Sequence, residues 1–288
     1  MIGAMMLLGF VDIYVAVIAQ TISVWQFLLC RGVLALVLVW AMSRAGLGTI
    51  AARRYWAVAL RSFLIAVGMI FYFGSLAFMP IAQSLAGLFT SPIFVLLISG
   101  VVLKQRIGPW RVLAVAIGFA GILGVLGIQD GMPGWIMLMP IAGGFFYACG
   151  SVATRVLCEG ETTLCMLFGI LLVQTILGAV ALVVLGGLQP DIGAGSQGFL
   201  LRSWVWDMRD VAFFVALQAV LSVMGVGLLI RAYQLGDASQ VSVLEYSIMI
   251  FGPLFAWIMM GQVISPSQMI GIALIAVAGV IIGLRSNA

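Results

Sequence analysis

GDASQVSVLEYSIMIFGP, residues 236–253, sets a carboxylate, Glu245, in the middle of an apolar run. Taking an unpaired charge out of water costs several kcal/mol or more, so an acid there needs a partner, a proton or a wet cavity. Ser239, Ser242, Glu245 and Tyr246 follow i, i+3, i+6, i+7 spacing and share one face of a helix. The segment starts after a Gly-Asp turn and carries Gly252-Pro253 deep inside it. It reads as a membrane helix with a polar stripe turned to a cavity, broken near its far end.

The composition around this stretch points the same way. The 288 residues are 64% hydrophobic and 8% charged, whereas a soluble domain carries about 25% charged residues. That gap excludes an ordinary soluble fold, and the apolar runs leave no room for a separate soluble domain. There is no histidine, and Cys30, Cys149, Cys158 and Cys165 form no Cys-x-x-Cys. Neither a metal framework nor a disulfide scaffold is indicated, and the cysteines read as small apolar side chains. The chain begins directly in an apolar run with no basic leader, so that run is expected to be its first membrane helix.

A helix needs about 20 apolar residues to cross the hydrocarbon. Ten runs qualify: 2–20, 24–43, 57–78, 82–103, 110–128, 133–155, 163–187, 211–234, 238–260 and 265–284. Short links force neighbours to be antiparallel. With the N-terminus inside, Arg44, Arg53, Arg54, Arg61, Lys104, Arg106, Arg111, Arg155, Arg231 and Arg285 fall on the cytoplasmic side. Only Arg202 and Arg209 fall opposite. This positive-inside bias places both termini in the cytoplasm of an inner (plasma) membrane protein. The longest loop, 188–210, begins with a flexible Gly193-Ala194-Gly195-Ser196 and continues with LLRSWVWDMRD, whose Trp204 and Trp206 suit the headgroup level. It reads as a plain connection, with a substrate lid as the alternative.

Residues 75–124 resemble residues 231–283: Ala82 matches Ala238, Ser91 matches Ser247, and Gln105 matches Gln262 after a one-residue shift. Each half, 1–128 and 133–285, would hold five helices. An odd number makes the halves insert in opposite senses, the inverted repeat of many transporters, with a site between the halves. The expected fold is all-α integral membrane, ten transmembrane helices as a 5+5 inverted repeat around a central cavity.

Phe27–Gly32 (FLLCRG), Leu88-Phe89-Thr90-Ser91-Pro92, Leu244-Glu245-Tyr246-Ser247 and the glycine-rich fifth and tenth helices make the chain resemble the EamA-type drug/metabolite transporter superfamily over nearly its whole length. The resemblance implies cytoplasmic termini, a cavity lined by helices 1–4 and 6–9, and peripheral helices 5 and 10. It also implies movement of a small organic solute: an amino acid, a nucleoside-like metabolite, a vitamin or similar. The family often carries Gly-Glu after the fourth helix of each half; here Gln105 and Gln262 stand in those places.

Three ionisable residues lie well inside spans. Asp12 and Arg31 each sit roughly 12 Å from the outer end of their helices, and these helices are antiparallel neighbours, so a direct or water-bridged pair is expected. It either fixes packing or lets Arg31 offer a fork to a substrate carboxylate or phosphate. Glu245 aligns with Phe89 of the first half, so the acid belongs to one repeat only. Its alternatives are a contact to a substrate cation, a proton-coupling site, or a structural hydrogen bond. Gln83, Gly87 and Thr90 share a face of helix 4, and Tyr72, Tyr147 and Gln218 lie within other spans. The expected substrate-binding set is Asp12, Arg31, Tyr72, Gln83, Phe89, Thr90, Tyr147, Gln218, Ser242, Glu245 and Tyr246. Ser91-Pro92 and Gly252-Pro253 are expected to interrupt helices 4 and 9. Gly118, Gly121, Gly124 and Gly127, and Gly279-x-x-x-Gly283, read as close-packing positions or a dimer face.

No nucleotide-binding loop is present, so energy must come from a gradient or from exchange. No catalytic residue, metal ligand, cofactor or nucleic-acid partner is expected. The leading expectation is a secondary transporter working by alternating access, as a monomer or homodimer, on a solute of zwitterionic, amino-acid-like chemistry. An integral membrane enzyme and a channel-like scaffold are the alternatives. If Glu245 carries a coupling proton, Glu245→Gln abolishes proton-driven uptake into liposomes and preserves exchange; equal loss of both assigns it to binding or folding.

Overall fold

A computed structural model describes residues 1–101, 104, 109–126, 134–188, 190, 198–235, 244 and 247–285. Among them lie twelve helices: α1 (Ile2–Asp12), α2 (Val15–Thr21), α3 (Val24–Arg44), α4 (Tyr55–Ser75), α5 (Ile81–Leu88), α6 (Ser91–Val101), α7 (Pro109–Leu126), α8 (Gly134–Leu157), α9 (Thr163–Leu188), α10 (Arg209–Leu235), α11 (Ile248–Met260) and α12 (Pro266–Arg285). No strand occurs among the described residues. Six segments are long and apolar enough to cross a membrane: α1–α2 taken together, α3, α4, α8, α9 and α10. The other four expected spans are represented by shorter apolar helices, in α5–α6, α7, α11 and α12. The chain is a multi-pass membrane protein. Below, the near side is the one on which α1 begins; the far side is the one on which α3 begins.

Two spans are broken inside the bundle. The first gives way at Ile13-Tyr14, where the Tyr14 N–H reaches back only three residues, to the Val11 carbonyl at 3.2 Å. The fourth gives way at Phe89-Thr90, where Thr90 N–H bonds Gly87 O at 3.1 Å. Pro92 follows and has no N–H to offer the Leu88 carbonyl. The break expected at Gly252-Pro253 is absent: α11 runs through Pro253 without interruption. Proline removes only one ladder bond there, at the Met249 carbonyl. Packing fixes the backbone beside it, since a Cβ on Gly9 would lie 2.9 Å from Gly252 N, and one on Gly252 would lie 2.7 Å from Leu85 Cδ1. Close packing thus accompanies a helix that continues through its proline.

The helices pair in a definite pattern. The closest partners are α4 with α8, α7 with α12, α3 with α9, and α1 with both α10 and α11; α5 and α6 lean on α8. Small residues make the tightest crossings. A Cβ on Gly68 would lie 2.8 Å from the Gly143 carbonyl oxygen, and one on Gly121 would lie 2.7 Å from the Gly271 carbonyl oxygen. The α7 glycine stripe therefore packs within the chain, and Gly271 is its counterpart on α12. Gly127 lies outside the described residues.

The two ends are tied differently. On the near side the Glu161 carboxylate accepts the backbone N–H groups of Arg53, at 2.9 and 3.0 Å, and of Arg54, at 2.7 Å. Thr162 Oγ1 donates to Thr49 O at 2.5 Å. On the far side residues 198–208 lie across the α2–α3 turn. Trp25 Nε1 donates to Leu200 O at 2.8 Å, Gln26 Nε2 to Val205 O at 2.7 Å, and Val205 N to Gln26 Oε1 at 2.9 Å. Phe199 is fully buried beneath this strap, while Trp206 is 89% exposed, as an interfacial residue would be. The flexible stretch expected at 193–196 lies outside the described residues.

Two outcomes follow from this packing. Gly68→Ala forces a methyl against backbone and lowers stability in detergent by about 1–3 kcal/mol. Gly186→Ala, where a Cβ meets nothing within 4 Å, leaves the melting temperature unchanged or slightly raised. The Arg53 N–H, then the Arg54 N–H and the two arginine charges, hold the Glu161 carboxyl below its usual range. A depressed carboxylate stabilises the fold above its unfolded pKa and loses that contribution as pH falls through the folded one. The melting-temperature gap between wild type and Glu161→Gln is thus present at neutral pH and closes below about pH 4.

Candidate functional site

Asp12 is the last residue of α1, and the break that follows leaves its carboxylate inside the bundle, 8% exposed. Ser23 caps α3 through a 3.3 Å bond from Gln26 N, and two turns on that helix carries Arg31, 5% exposed. α4 supplies Tyr72 and Phe73, α9 supplies Gln174, and α10 supplies Gln218.

These side chains form one network. Arg31 Nη1 donates to Gln218 Oε1 at 3.1 Å, and Arg31 Nη2 donates to Gln174 Oε1. The guanidinium lies over two rings, 5.4 Å from the Phe27 centroid and 5.0 Å from that of Phe73. The Tyr72 hydroxyl donates to Asp12 Oδ2 at 2.9 Å, and Gln218 also interacts with Asp12. No ion pair within 4.0 Å joins Asp12 to Arg31 among the described residues. Of the two expected forms, direct or water-bridged, the direct one is therefore not seen there, and the neutral Gln218 carboxamide bonds to both groups. Two amide oxygens and two ring faces hold the cation while the opposite charge stays close enough to offset it.

Two donors in this network remain open. Arg31 Nε is buried without a hydrogen-bond partner. Gln174 gives its oxygen to Arg31, and its amide nitrogen makes no hydrogen bond among the described residues. Both residues line a cavity of about 410 Å³. Its wall takes Met5, Leu8 and Asp12 from α1, and Arg61, Ile65, Met69, Tyr72 and Phe73 from one stripe of α4. Thr163, Met166 and Ile170 of α9, Ser222 and Val226 of α10, and Leu88 and Phe89 at the break of the fourth span complete much of it. The lining is largely aliphatic and aromatic, with a minority of polar groups.

Of the expected binding residues, Asp12, Arg31, Tyr72, Phe89, Tyr147 and Gln218 line this cavity. Gln83 and Thr90 are buried but lie away from its lining. Thr90 Oγ1 donates to Gly87 O at 2.7 Å and sits at the crossing where Gly144 meets α5. Ser242, Glu245 and Tyr246 lie outside the described residues. Among the lining residues that were not anticipated are Gln174 and Arg61. Gln174 is a lone amide in the 26-residue apolar α9, and that isolation was its only signal. Arg61 read as a boundary charge, but it reaches inward. Among the described residues no three His, Cys, Asp or Glu side chains converge as metal ligands.

A crystal structure of another protein superposes with a TM-score of 0.63 at 19% identity, covering 99% of this chain and 98% of that one. The overall fold is therefore one already seen. Two curated relatives are named riboflavin transporter. One, from Rhizobium johnstonii, is 27% identical over 84% of this chain and 74% of its own length. The other, from Vibrio cholerae, is 24% identical over 76% of this chain and 68% of its own. The EamA-like transporter family matches residues 134–284, more than half of the sequence. With an all-helical membrane bundle built around this cavity, the chain belongs to the EamA-like transporter family.

Proposed function

We propose that this protein is a secondary transporter that carries a flavin-like solute across the inner membrane by alternating access. The observation that carries the reading is the polar cluster at the Arg31 end of the cavity. Arg31, Gln174 and Gln218 set a guanidinium and two carboxamides beside Phe73 in the lining, and Arg31 Nε is buried there without a hydrogen-bond partner. Such an end suits a planar ring with an acceptor-rich edge, as a riboflavin ring has, stacked beside Phe73 and Phe89. The names of the two relatives support the same ligand class. The amino-acid-like alternative needs a carboxylate free to meet an ammonium. Among the described residues the one carboxylate lining the cavity, Asp12, is already engaged by Tyr72 and Gln218, and this favours the flavin.

The helix pairing supports the 5+5 reading, with repeats 1–128 and 133–285. If the spans are numbered one to ten, exchanging each with its counterpart five places on turns the contact of α4 with α8 into that of α10 with α1. It likewise turns the lean of α5–α6 on α8 into that of α11 on α1, and α7–α12 and α3–α9 map onto themselves. With both termini cytoplasmic, as the arginine bias indicates, the near side is the inner side. The cavity then extends inward to Thr163 and Met166 beneath a strapped outer end, an inward-facing arrangement. Proton coupling or exchange drives the cycle, in a monomer or homodimer.

Arg31→Gln removes the open donor, and riboflavin affinity falls about 10–100-fold. Arg31→Lys keeps the charge but not the fork and recovers only part of it. Titration of the purified full-length protein by quenching of flavin fluorescence reads both, and near-wild-type affinity in Arg31→Gln would discard the assignment.

A further inference from the structure

We propose that Arg61, at the near end of the same cavity, is a second ligand station that takes the phosphate of a flavin monophosphate ester. The inference rests on the flavin reading above and adds to it which end of the ligand carries charge. Arg61 lies on the α4 stripe that includes Tyr72, eleven residues earlier, which places the two Cα atoms about 16 Å apart along the helix. A tricyclic ring with its edge at Arg31 and a five-carbon tail running towards the near side would bring the tail's end to this region.

The chemistry of Arg61 is that of an incompletely used cation. Its Nε donates to Thr154 Oγ1 at 2.9 Å and its Nη1 to Met166 O at 2.9 Å. Both partners are neutral, and Nη2 has no hydrogen-bond partner among the described residues. A guanidinium stays charged in proteins, and a charge inside a membrane span normally faces an opposite one or a wet cavity. Among the described residues the charged groups lining the cavity are Asp12, Arg31 and Arg61. Asp12 and Arg31 offset each other through Gln218. One positive charge remains, at Arg61, and no carboxylate among the described residues acts on it. An arm that only tied α4 to α8 and α9 would not need to line the cavity. The geometry instead leaves one guanidinium nitrogen for an oxyanion, with the Thr154 and Met166 bonds fixing the rest of the fork.

The test compares riboflavin with riboflavin 5′-phosphate on the full-length protein in detergent, by quenching of flavin fluorescence, in wild type, Arg61→Lys and Arg61→Gln. In wild type the phosphate ester binds roughly tenfold or more tightly than riboflavin, and added salt narrows the ratio. The ratio shrinks in Arg61→Lys and approaches one in Arg61→Gln. Equal affinity of wild type for the two flavins, or an undiminished ratio in Arg61→Gln, overturns the station and leaves the flavin reading standing. Failure of both flavins to bind wild type overturns the flavin reading and the station together. The wild-type ratio requires no variant, so misfolding of Arg61→Gln cannot shield the proposal.

Discussion

Keeping a guanidinium inside a hydrocarbon-spanning bundle is the constraint on which the rest of this structure depends. Arg31 is 5% exposed and, among the described residues, touches no carboxylate directly. It is held by Gln174 and Gln218 from α9 and α10, and by the ring faces of Phe27 and Phe73 from α3 and α4. Four helices are thereby committed to one cluster. The first span must also bring Asp12 close enough to offset the charge, and it does so where its helix gives way. Neutral partners suit a ligand site better than a locked ion pair. Here two carboxamides take both Nη groups of the fork without adding a charge, and Nε stays buried without a partner.

Much of the fold was legible in the sequence because the membrane imposes a length. Hydrocarbon thickness turns each apolar run into a span, and the six longest appear as helices within a few residues of the expected limits. The break at Ile13-Tyr14 was not legible, since neither proline nor glycine marks it. Asp12 ends α1 there and accepts the Tyr72 hydroxyl from α4. Pro253 is the converse case, a marker without a break: α11 continues through it, with Gly252 packed closely on Gly9. Asp12, Arg31, Tyr72 and Gln218 announced themselves as polar groups at depth. Gln174 was passed over as a single amide with no partner in its own segment. Arg61 was absorbed into the topology count, where a charge near a helix end is read for its side of the membrane and not for its direction. Ser242, Glu245 and Tyr246, the stripe from which the reading began, lie outside the described residues.

Glycine does for the scaffold what the polar cluster does for the cavity. Where Gly68 faces Gly143 and Gly121 faces Gly271, backbones approach too closely for any side chain. These crossings lie on the same helix pairs that the proposed two-fold relation exchanges or maps onto themselves. Close backbone contact leaves room elsewhere between the helices, and the cavity occupies such room between α4, α9 and α10.

The strap over the far end has a consequence for how that end can open. Gln26 both donates to and accepts from Val205, as two peptide units do in a sheet. A partial release would leave a buried carboxamide half satisfied, so the two bonds are lost together or kept together. Trp25 on Leu200 and the buried Phe199 add to the same step. Release is therefore all-or-none, like unzipping a single short seam. In the proposed transport cycle such a seam would make the mouth open in one step and not by gradual loosening.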